Sequence, residues 1–205
     1  MTNLNKLFLA LAAVVVFAVS APIAKADACS VSGNLVVNCG FETGTFASWT
    51  AVDASGFTSV IAGAAHAGGN FGVSTGPVAV PGTISQTITT AAGAGATYNL
   101  SFWLANLSGS TPNSFSVSFG GVVLTTLTNS AAFAYTQFTF NNVLATGTTT
   151  PLVFTFRHDP SFWNFDDVIV VRNELGGPVP EPATLLLLGT GLVGVAAGYR
   201  RRLRR

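Results

Sequence analysis

Few residues in this chain are of the types that perform acid–base or nucleophilic chemistry. There are two histidines, His66 in an Ala- and Gly-rich loop and His158 at a strand end, and no G-x-S-x-G turn to present a serine nucleophile. The adjacent Asp166 and Asp167 alternate faces on a predicted strand, so they do not supply two carboxylates across a cleft. We expect both histidines to be solvated loop residues and the protein not to be an enzyme. An enzyme would need a cleft that joins one histidine to a carboxylate.

Stacking of sugar rings on exposed aromatic side chains is a second possible chemistry, with polar side chains beside the rings to donate and accept hydrogen bonds. Trp103 is the best candidate, because strand alternation points it away from the apolar Phe102 and Leu104. The alternative is that Trp103 is a core residue covered by a second sheet. The polar and aromatic residues that could complete such a site are Asn106, Arg157, His158, Trp163 and Asn164.

Charge is distributed unevenly along the 205 residues, of which 49% are hydrophobic and only 8% charged. Residues 27–178 contain two arginines against seven acidic residues, a net charge of −5. Binding to nucleic acid depends on clustered Lys and Arg, so we expect no nucleic-acid partner. This segment is long enough for one domain with a core, and the apolar excess lies at the two ends of the chain.

The N-terminal residues 1–26 have the pattern of a secretory signal peptide. Lys6 precedes an apolar run from Leu7 to Val19, and Ala24-Lys25-Ala26 is a small-x-small cleavage site. As a helix the run reaches about 20 Å, short of the roughly 30 Å of a bilayer core. We therefore predict export and a mature chain that begins near Asp27.

The C-terminal end combines three features in a fixed order. Residues 176–182 are a spacer that ends in Pro180-Glu181-Pro182, and residues 183–199 are an apolar segment of about 25 Å as a helix. We predict a transmembrane helix at 183–199 and a cytoplasmic tail at 200–205, because positive residues stay on the cytoplasmic side. The tail contains Arg200, Arg201, Arg202, Arg204 and Arg205.

This order of motif, span and arginines resembles the PEP-CTERM sorting signal of Gram-negative bacteria. The resemblance implies that an exosortase is a processing partner, which cleaves near the motif after a transient stay in the inner membrane. The protein would then reach the cell surface or the extracellular matrix, in bacteria that make exopolysaccharide. The alternative is a plain C-terminal anchor, and thus a tail-anchored periplasmic envelope protein.

The segment 27–175 has the period-two alternation of β-strands, broken by Gly, Asn, Ser, Thr and Pro, and no helical periodicity. Short strands at this density predict an all-β, two-sheet sandwich of the jelly-roll kind. The ten predicted strands are Leu35–Val37, Phe57–Ile61, Phe71–Ser74, Ile84–Thr89, Tyr98–Asn106, Phe115–Phe119, Val122–Leu127, Tyr135–Phe140, Leu152–Arg157 and Phe165–Val171.

Two segments at opposite ends of this domain resemble galactose-binding-like jelly-roll modules. They are the opening from Asn34 to Gly44, followed by Trp49, and the final strand with Phe165-Asp166-Asp167-Val168. The group includes carbohydrate-binding modules, so the resemblance implies a non-catalytic domain associated with extracellular polysaccharide or biofilm. A carbohydrate-active enzyme is a further alternative.

A structural calcium ion often lies between the first and last strands of related modules, which makes Glu42, Asp166 and Asp167 candidate ligands. Calcium needs six to eight oxygen ligands, so backbone carbonyls would have to complete the shell. Alternation places Asp166 on the side of Val168 and Asp167 on the other, so only one of the pair can face inward. The alternative is an acidic edge whose carboxylates accept hydrogen bonds from turn amides.

The two cysteines, Cys29 and Cys39, both remain after signal cleavage. Export places them in an oxidising compartment, which favours a disulfide that ties the mature N-terminus to the first strand. The alternative is a pair of free thiols. Two cysteines without clustered histidines do not make a zinc site.

Overall fold

A computed structural model describes residues 28–90 and 94–173, which form two five-stranded antiparallel sheets packed face to face. Within these residues no helix has the length and apolar character needed to cross a membrane. The predicted signal peptide, the helix at 183–199 and the arginine tail lie outside the described residues. The domain boundaries drawn from the sequence therefore remain predictions.

Ten strands and two short 3₁₀ helices make up the described chain. The 3₁₀ helices are Ala28–Ser30 and Ala62–Ala64. The strands are β1 Thr50–Val52, β2 Thr58–Ile61, β3 Gly72–Thr75, β4 Gly82–Thr89, β5 Thr97–Asn106, β6 Asn113–Phe119, β7 Val122–Thr128, β8 Phe133–Leu144, β9 Thr149–His158 and β10 Trp163–Arg172. Sheet I has the order β2-β3-β10-β5-β8 and sheet II the order β1-β4-β9-β6-β7. The predicted all-β, two-sheet sandwich is confirmed.

The core lies between the sheets and is filled by the inward-pointing residues of the long strands. Its centre is aromatic: the ring of Phe154 lies 5.1 Å from that of Phe102 and 4.5 Å from that of Phe165. All three rings are fully buried. Alternation identified these strands correctly, because each buries every second side chain over most of its length.

The prediction of a first strand at Leu35–Val37 is wrong, because these residues form no strand in the structure. Asn34 makes an isolated bridge with Val171 of β10 in sheet I. The chain then leaves sheet I, and the side-chain amide of Gln86, on β4 of sheet II, bonds to both the N–H and the carbonyl of Val37. The short strand β1 was not predicted, since all three of its residues are exposed and show no alternation.

The last strand departs from regular alternation at its acidic pair. A bulge between Asp166 and Ile169 inserts one residue, and Asp167 takes a positive φ of 52°. Val168 therefore faces the core, while both aspartates contact His66 outside it. The prediction that Asp166 lies on the same side of the strand as Val168 is corrected by this bulge.

Candidate functional site

The face of sheet I that points away from sheet II, here called the outer face, brings Trp103 between two polar neighbours. Strand register pairs Trp103 with Asp166 on β10 and with Gln137 on β8. Phe102 and Leu104, on either side of it in sequence, are fully buried, whereas Trp103 is half-buried. Trp103 is therefore outside the core, which excludes the alternative of a core residue under the second sheet.

Residues 62–71, here called the crossing segment, lie over this face between β2 and β3. Gly72 lets the segment approach the sheet, because a Cβ atom built on it would lie 2.0 Å from the carbonyl oxygen of Ala64. From the other edge of the sheet, the Tyr135 hydroxyl donates a 2.6 Å hydrogen bond to the same carbonyl oxygen. The segment is thus held from β3 on one side and from β8 on the other.

His66 is the residue by which the crossing segment contacts Trp103. The two rings stack with centroids 4.0 Å apart and planes 20° apart, and Tyr135 meets the imidazole edge-to-face at 5.0 Å. The backbone N–H of His66 donates to Oδ2 of Asp166 at 2.7 Å, and its Nδ1 lies 2.7 Å from Oδ2 of Asp167. His66 therefore contacts the ring of Trp103 and both carboxylates, Asp166 and Asp167.

Burial is the largest influence on the pKa of Asp166. It raises the pKa of Asp166 to about 8, although the N–H groups of His66 and Asp167 favour the ionised carboxylate. The neighbouring charges of Asp167 and Glu42 raise it further. Burial, assisted by the two aspartates, also raises the pKa of Tyr135, so its hydroxyl stays protonated as a donor.

Comparison with protein families gives the decisive match, which runs over residues 33–172 and is described as a carbohydrate binding domain. The chain belongs to the carbohydrate binding domain family. A second match, described as a PEP-CTERM protein-sorting motif, covers residues 178–202. Both resemblances inferred from the sequence are thereby confirmed, and the sorting motif indicates export. No curated protein matches the chain.

Solved structures similar to this carbohydrate binding domain have the same fold at low sequence identity. TmCBM61 in complex with β-1,4-galactotriose is 18% identical with a TM-score of 0.55, and the match covers 69% of this chain and 100% of that one. The C-terminal family 22 carbohydrate binding module of Clostridium thermocellum Xyn10B is 14% identical with a TM-score of 0.51, over 72% and 99% of the chains. These similarities establish the fold of the domain.

The histidines of the carbohydrate binding domain are not the solvated loop residues that we expected. The side chain of His66 is only 15% exposed, and His158 is fully buried, with Nε2 near Oδ1 of Asn106 and the carbonyl of Ser108. Burial lowers the pKa of His158. His66 and Asp167 do form a histidine–carboxylate pair, but among the described residues no Ser, Thr or Cys side chain hydrogen-bonds to His66.

Of the other residues that the sequence suggested as ligand contacts, only Asn164 lies on the same face as Trp103, two positions before Asp166 on β10. Trp163 is buried in the core, and Asn106 is buried with its amide bonded to the carbonyls of Ser130 and Ala131. Arg157 lies on the opposite sheet, with an ion pair to Asp159. The fold instead brings His66, Tyr135 and Gln137 to Trp103, and nothing in strand alternation signalled that His66 would cross the sheet.

The three candidate calcium ligands have other partners. Glu42 accepts hydrogen bonds from the backbone N–H groups of Asn70 and Phe71, while both aspartates bind His66. Across the part of the chain that the structure describes, no group of three or more His, Cys, Asp or Glu side chains could hold a metal ion. These contacts match the alternative in which the acidic residues accept hydrogen bonds from turn amides.

The opening segment of the carbohydrate binding domain has a structural role beside the bulge of β10. Oδ1 of Asn34 accepts a hydrogen bond from the N–H of Val170, and the carbonyl of Cys39 accepts one from Val168. The predicted disulfide between Cys29 and Cys39 is confirmed. A Cβ atom on Gly40 would lie 3.1 Å from the sulfur of Cys29 and 3.2 Å from Oδ1 of Asp167, so glycine allows this close packing.

Proposed function

We propose that the chain is a non-catalytic protein of the cell surface or extracellular matrix, and that it binds extracellular polysaccharide through the outer face of sheet I. The single observation that carries this proposal is the position of Trp103, half-buried and outside the core, in a domain of a carbohydrate-binding family. Indole rings stack on the apolar faces of sugars. The exposed amide of Gln137 supplies a hydrogen-bonding group beside it.

Sheet II offers no comparable platform. The outward-pointing residues of its central strands are small or lack rings, such as Thr83, Ser85 and Ser116. On sheet I, Trp103, Tyr135 and His66 form an aromatic cluster, with Ser101 and Thr139 one position further along the same face. The proposal needs no bound calcium, because this cluster is built from aromatic, hydroxyl and amide groups.

The sorting part of the proposal rests on the C-terminal motif. Pro180, Glu181 and Pro182 fall within the matched residues 178–202, as does the whole of the predicted transmembrane helix at 183–199. An exosortase would cleave near Pro182, remove the helix and the arginine tail, and deliver the domain to the outside. The inner membrane is then a temporary site, and exopolysaccharide in a biofilm is the proposed final partner.

Expression of the full chain in an exosortase-bearing host tests both parts. Intact mass should show loss of residues 1–26 and of the region beyond Pro182, and the exported protein should be retarded in gels containing a neutral polysaccharide. Trp103→Ala should abolish retardation, while Val122→Ala, at an exposed apolar residue of β7 on the other sheet, should leave it unchanged.

Two results would contradict the proposal. Retention of Arg205 in the membrane fraction would leave a tail-anchored periplasmic protein as the better account. Equal retardation of the wild type and Trp103→Ala would remove the outer face of sheet I as the binding surface.

A further inference from the structure

The indole of Trp103 has no ring beside it on the neighbouring strands. Its register partners are Asp166 on β10 and the exposed Gln137 on β8. Strand side chains have two common χ1 rotamers, so a large ring on such a face can move unless another ring packs on it. Binding a ligand to a mobile side chain costs the entropy of immobilising it. Of the ring contacts between described residues, only the one with His66 involves Trp103.

The imidazole of His66 is itself fixed on several sides. The backbone N–H of His66 donates to Oδ2 of Asp166 at 2.7 Å, and Nδ1 lies 2.7 Å from Oδ2 of Asp167. The ring of Tyr135 meets the imidazole edge-to-face at 5.0 Å. An imidazole with these contacts keeps one position, and it presents a fixed surface to the indole of Trp103.

The carboxylate of Asp167 is held in turn by residues near the N-terminus of the described chain. The bulge and the positive φ of 52° turn Asp167 toward His66. Its Oδ1 lies 3.9 Å from the sulfur of Cys29, and a Cβ atom on Gly40 would lie 3.2 Å from the same oxygen. A continuous series of contacts therefore runs from Cys29 through Asp167 and His66 to Trp103.

The crossing segment is anchored on both sides of His66, so it is a fixed part of the outer face. Before His66, the carbonyl of the fully buried Ala64 accepts the hydrogen bond from the Tyr135 hydroxyl. After His66, Oε1 of Glu42 accepts a 3.2 Å hydrogen bond from the N–H of Phe71. These anchors keep the imidazole over the sheet.

We propose that His66 is a positioning residue for the sugar-binding face: it covers one side of the Trp103 indole, holds the ring still and leaves the opposite side for the ligand. Asp167 is a second positioning residue, because it orients the imidazole. The ring centroids are 4.0 Å apart, so no sugar fits between the two rings. The inference rests on the proposed binding at Trp103 and adds the residues that prepare this surface.

Fluorescence anisotropy decay on the full-length chain, in a detergent without sugar groups, measures motion of the indole without any ligand. Trp49 and Trp163 are buried in the core and stay rigid. His66→Ala should add a fast nanosecond component to the decay, and the double variant His66→Ala, Trp103→Phe should lack it. Two controls should match the wild type: His66→Phe, which keeps a ring for stacking, and Gly63→Ala, whose Cβ meets nothing within 4 Å.

Retardation in gels containing β-1,4-galactan or hydroxyethylcellulose measures the effect on binding. His66→Ala should weaken binding about two- to tenfold, as expected when one side chain is no longer immobilised beforehand, and His66→Phe should restore most of the loss. Asp167→Gly should weaken binding to a similar extent, because glycine accepts the positive φ but offers no oxygen to Nδ1. Asp167→Asn keeps such an oxygen, tolerates the positive φ and should bind like the wild type.

Tighter binding by His66→Ala would show that the imidazole occupies the position of the ligand, and would overturn the inference. An unchanged anisotropy decay in His66→Ala, or unchanged binding despite a mobile indole, would also overturn it. The proposed function survives these results if Trp103→Ala still abolishes retardation. Absence of retardation of the wild type by either polysaccharide would reject both.

Discussion

The imidazole of His66 lies on the indole of Trp103, with ring centroids 4.0 Å apart and planes 20° apart. Because His66 belongs to the crossing segment and Trp103 to β5, this stacked pair attaches a loop to the outer face of the sheet. It also covers part of the aromatic surface that we propose for sugar binding. The other two tryptophans, Trp49 and Trp163, are 6% and 0% exposed in the core. Solvent quenching of tryptophan fluorescence therefore reports mainly on Trp103.

Replacement of His66 should uncover the indole. We expect His66→Ala to increase the acrylamide quenching constant of the tryptophan emission, since one face of Trp103 loses its stacked ring. Trp103→Phe supplies the control, because it removes the accessible fluorophore and should give low quenching with or without His66. An unchanged quenching constant in His66→Ala would mean that the crossing segment does not depend on this contact.

A methyl group at Gly72 should lift the crossing segment from the sheet. The Cβ atom of Gly72→Ala would lie 2.0 Å from the carbonyl oxygen of Ala64, so backbone must move. We expect a loss of about 1–3 kcal/mol in the free energy of unfolding, typical of overpacking, measured by urea denaturation. Gly63→Ala is the matched control, since its Cβ meets nothing within 4 Å, and should change stability by less than about 0.5 kcal/mol.

The sequence predicted the sandwich because its long strands bury every second residue. Phe115, Val117 and Phe119 are all buried, with the intervening serines outside, as the alternation of that segment requires. This signal fails where a strand has no buried face, as at Thr50–Val52, and where apolar residues belong to a turn, as at Leu35–Val37.

The candidate site was harder to predict than the fold. Alternation placed Trp103 on the face opposite Phe102 correctly, but whether another layer covers that face depends on tertiary packing. The position of Asp167 depends on a bulge, and one inserted residue reverses the alternation that follows it. The contact of His66 with Asp167 spans 101 residues of sequence, so local patterns cannot predict it.

Loss of the disulfide should loosen the segment beside the acidic pair. Cys29 and Cys39 close a short loop, and a bond across a loop of this size contributes about 2–3 kcal/mol through the unfolded chain. We expect a decrease of that size in the free energy of unfolding when urea denaturation is repeated in reducing buffer. The double variant Cys29→Ala, Cys39→Ala is the control and should be insensitive to the reductant. A reductant effect in that variant would show that the decrease has another cause.

The contribution of Asp166 to stability should fall as pH rises from about 4 to about 8. Burial raises the pKa of this carboxyl from 3.8 to about 8, so the folded protein holds a proton that the unfolded chain releases. Below the lower pKa both states are protonated and the stabilisation is complete. Between these two pKa values the stabilisation decreases by up to about 1.4 kcal/mol per pH unit. Above the folded-state pKa of about 8 it decreases no further.

Urea denaturation across this pH range, with two variants, checks the assignment to Asp166. Asp166→Asn should remove this fall, whatever its effect on stability at one pH, and leave the opposite dependence of His158, whose lowered pKa makes stability rise with pH up to about 6.5. Asp53→Asn is the control. Burial opposes ionisation of Asp53, but hydrogen bonds from Ser55 and Thr58 outweigh that effect and lower its pKa below 3.8. The stabilisation that ionised Asp53 contributes is therefore lost only when the pH falls below about 4. Asp53→Asn should therefore keep the wild-type slope between pH about 4 and 8. A fall in stability with rising pH that survives in Asp166→Asn would assign that fall to another group.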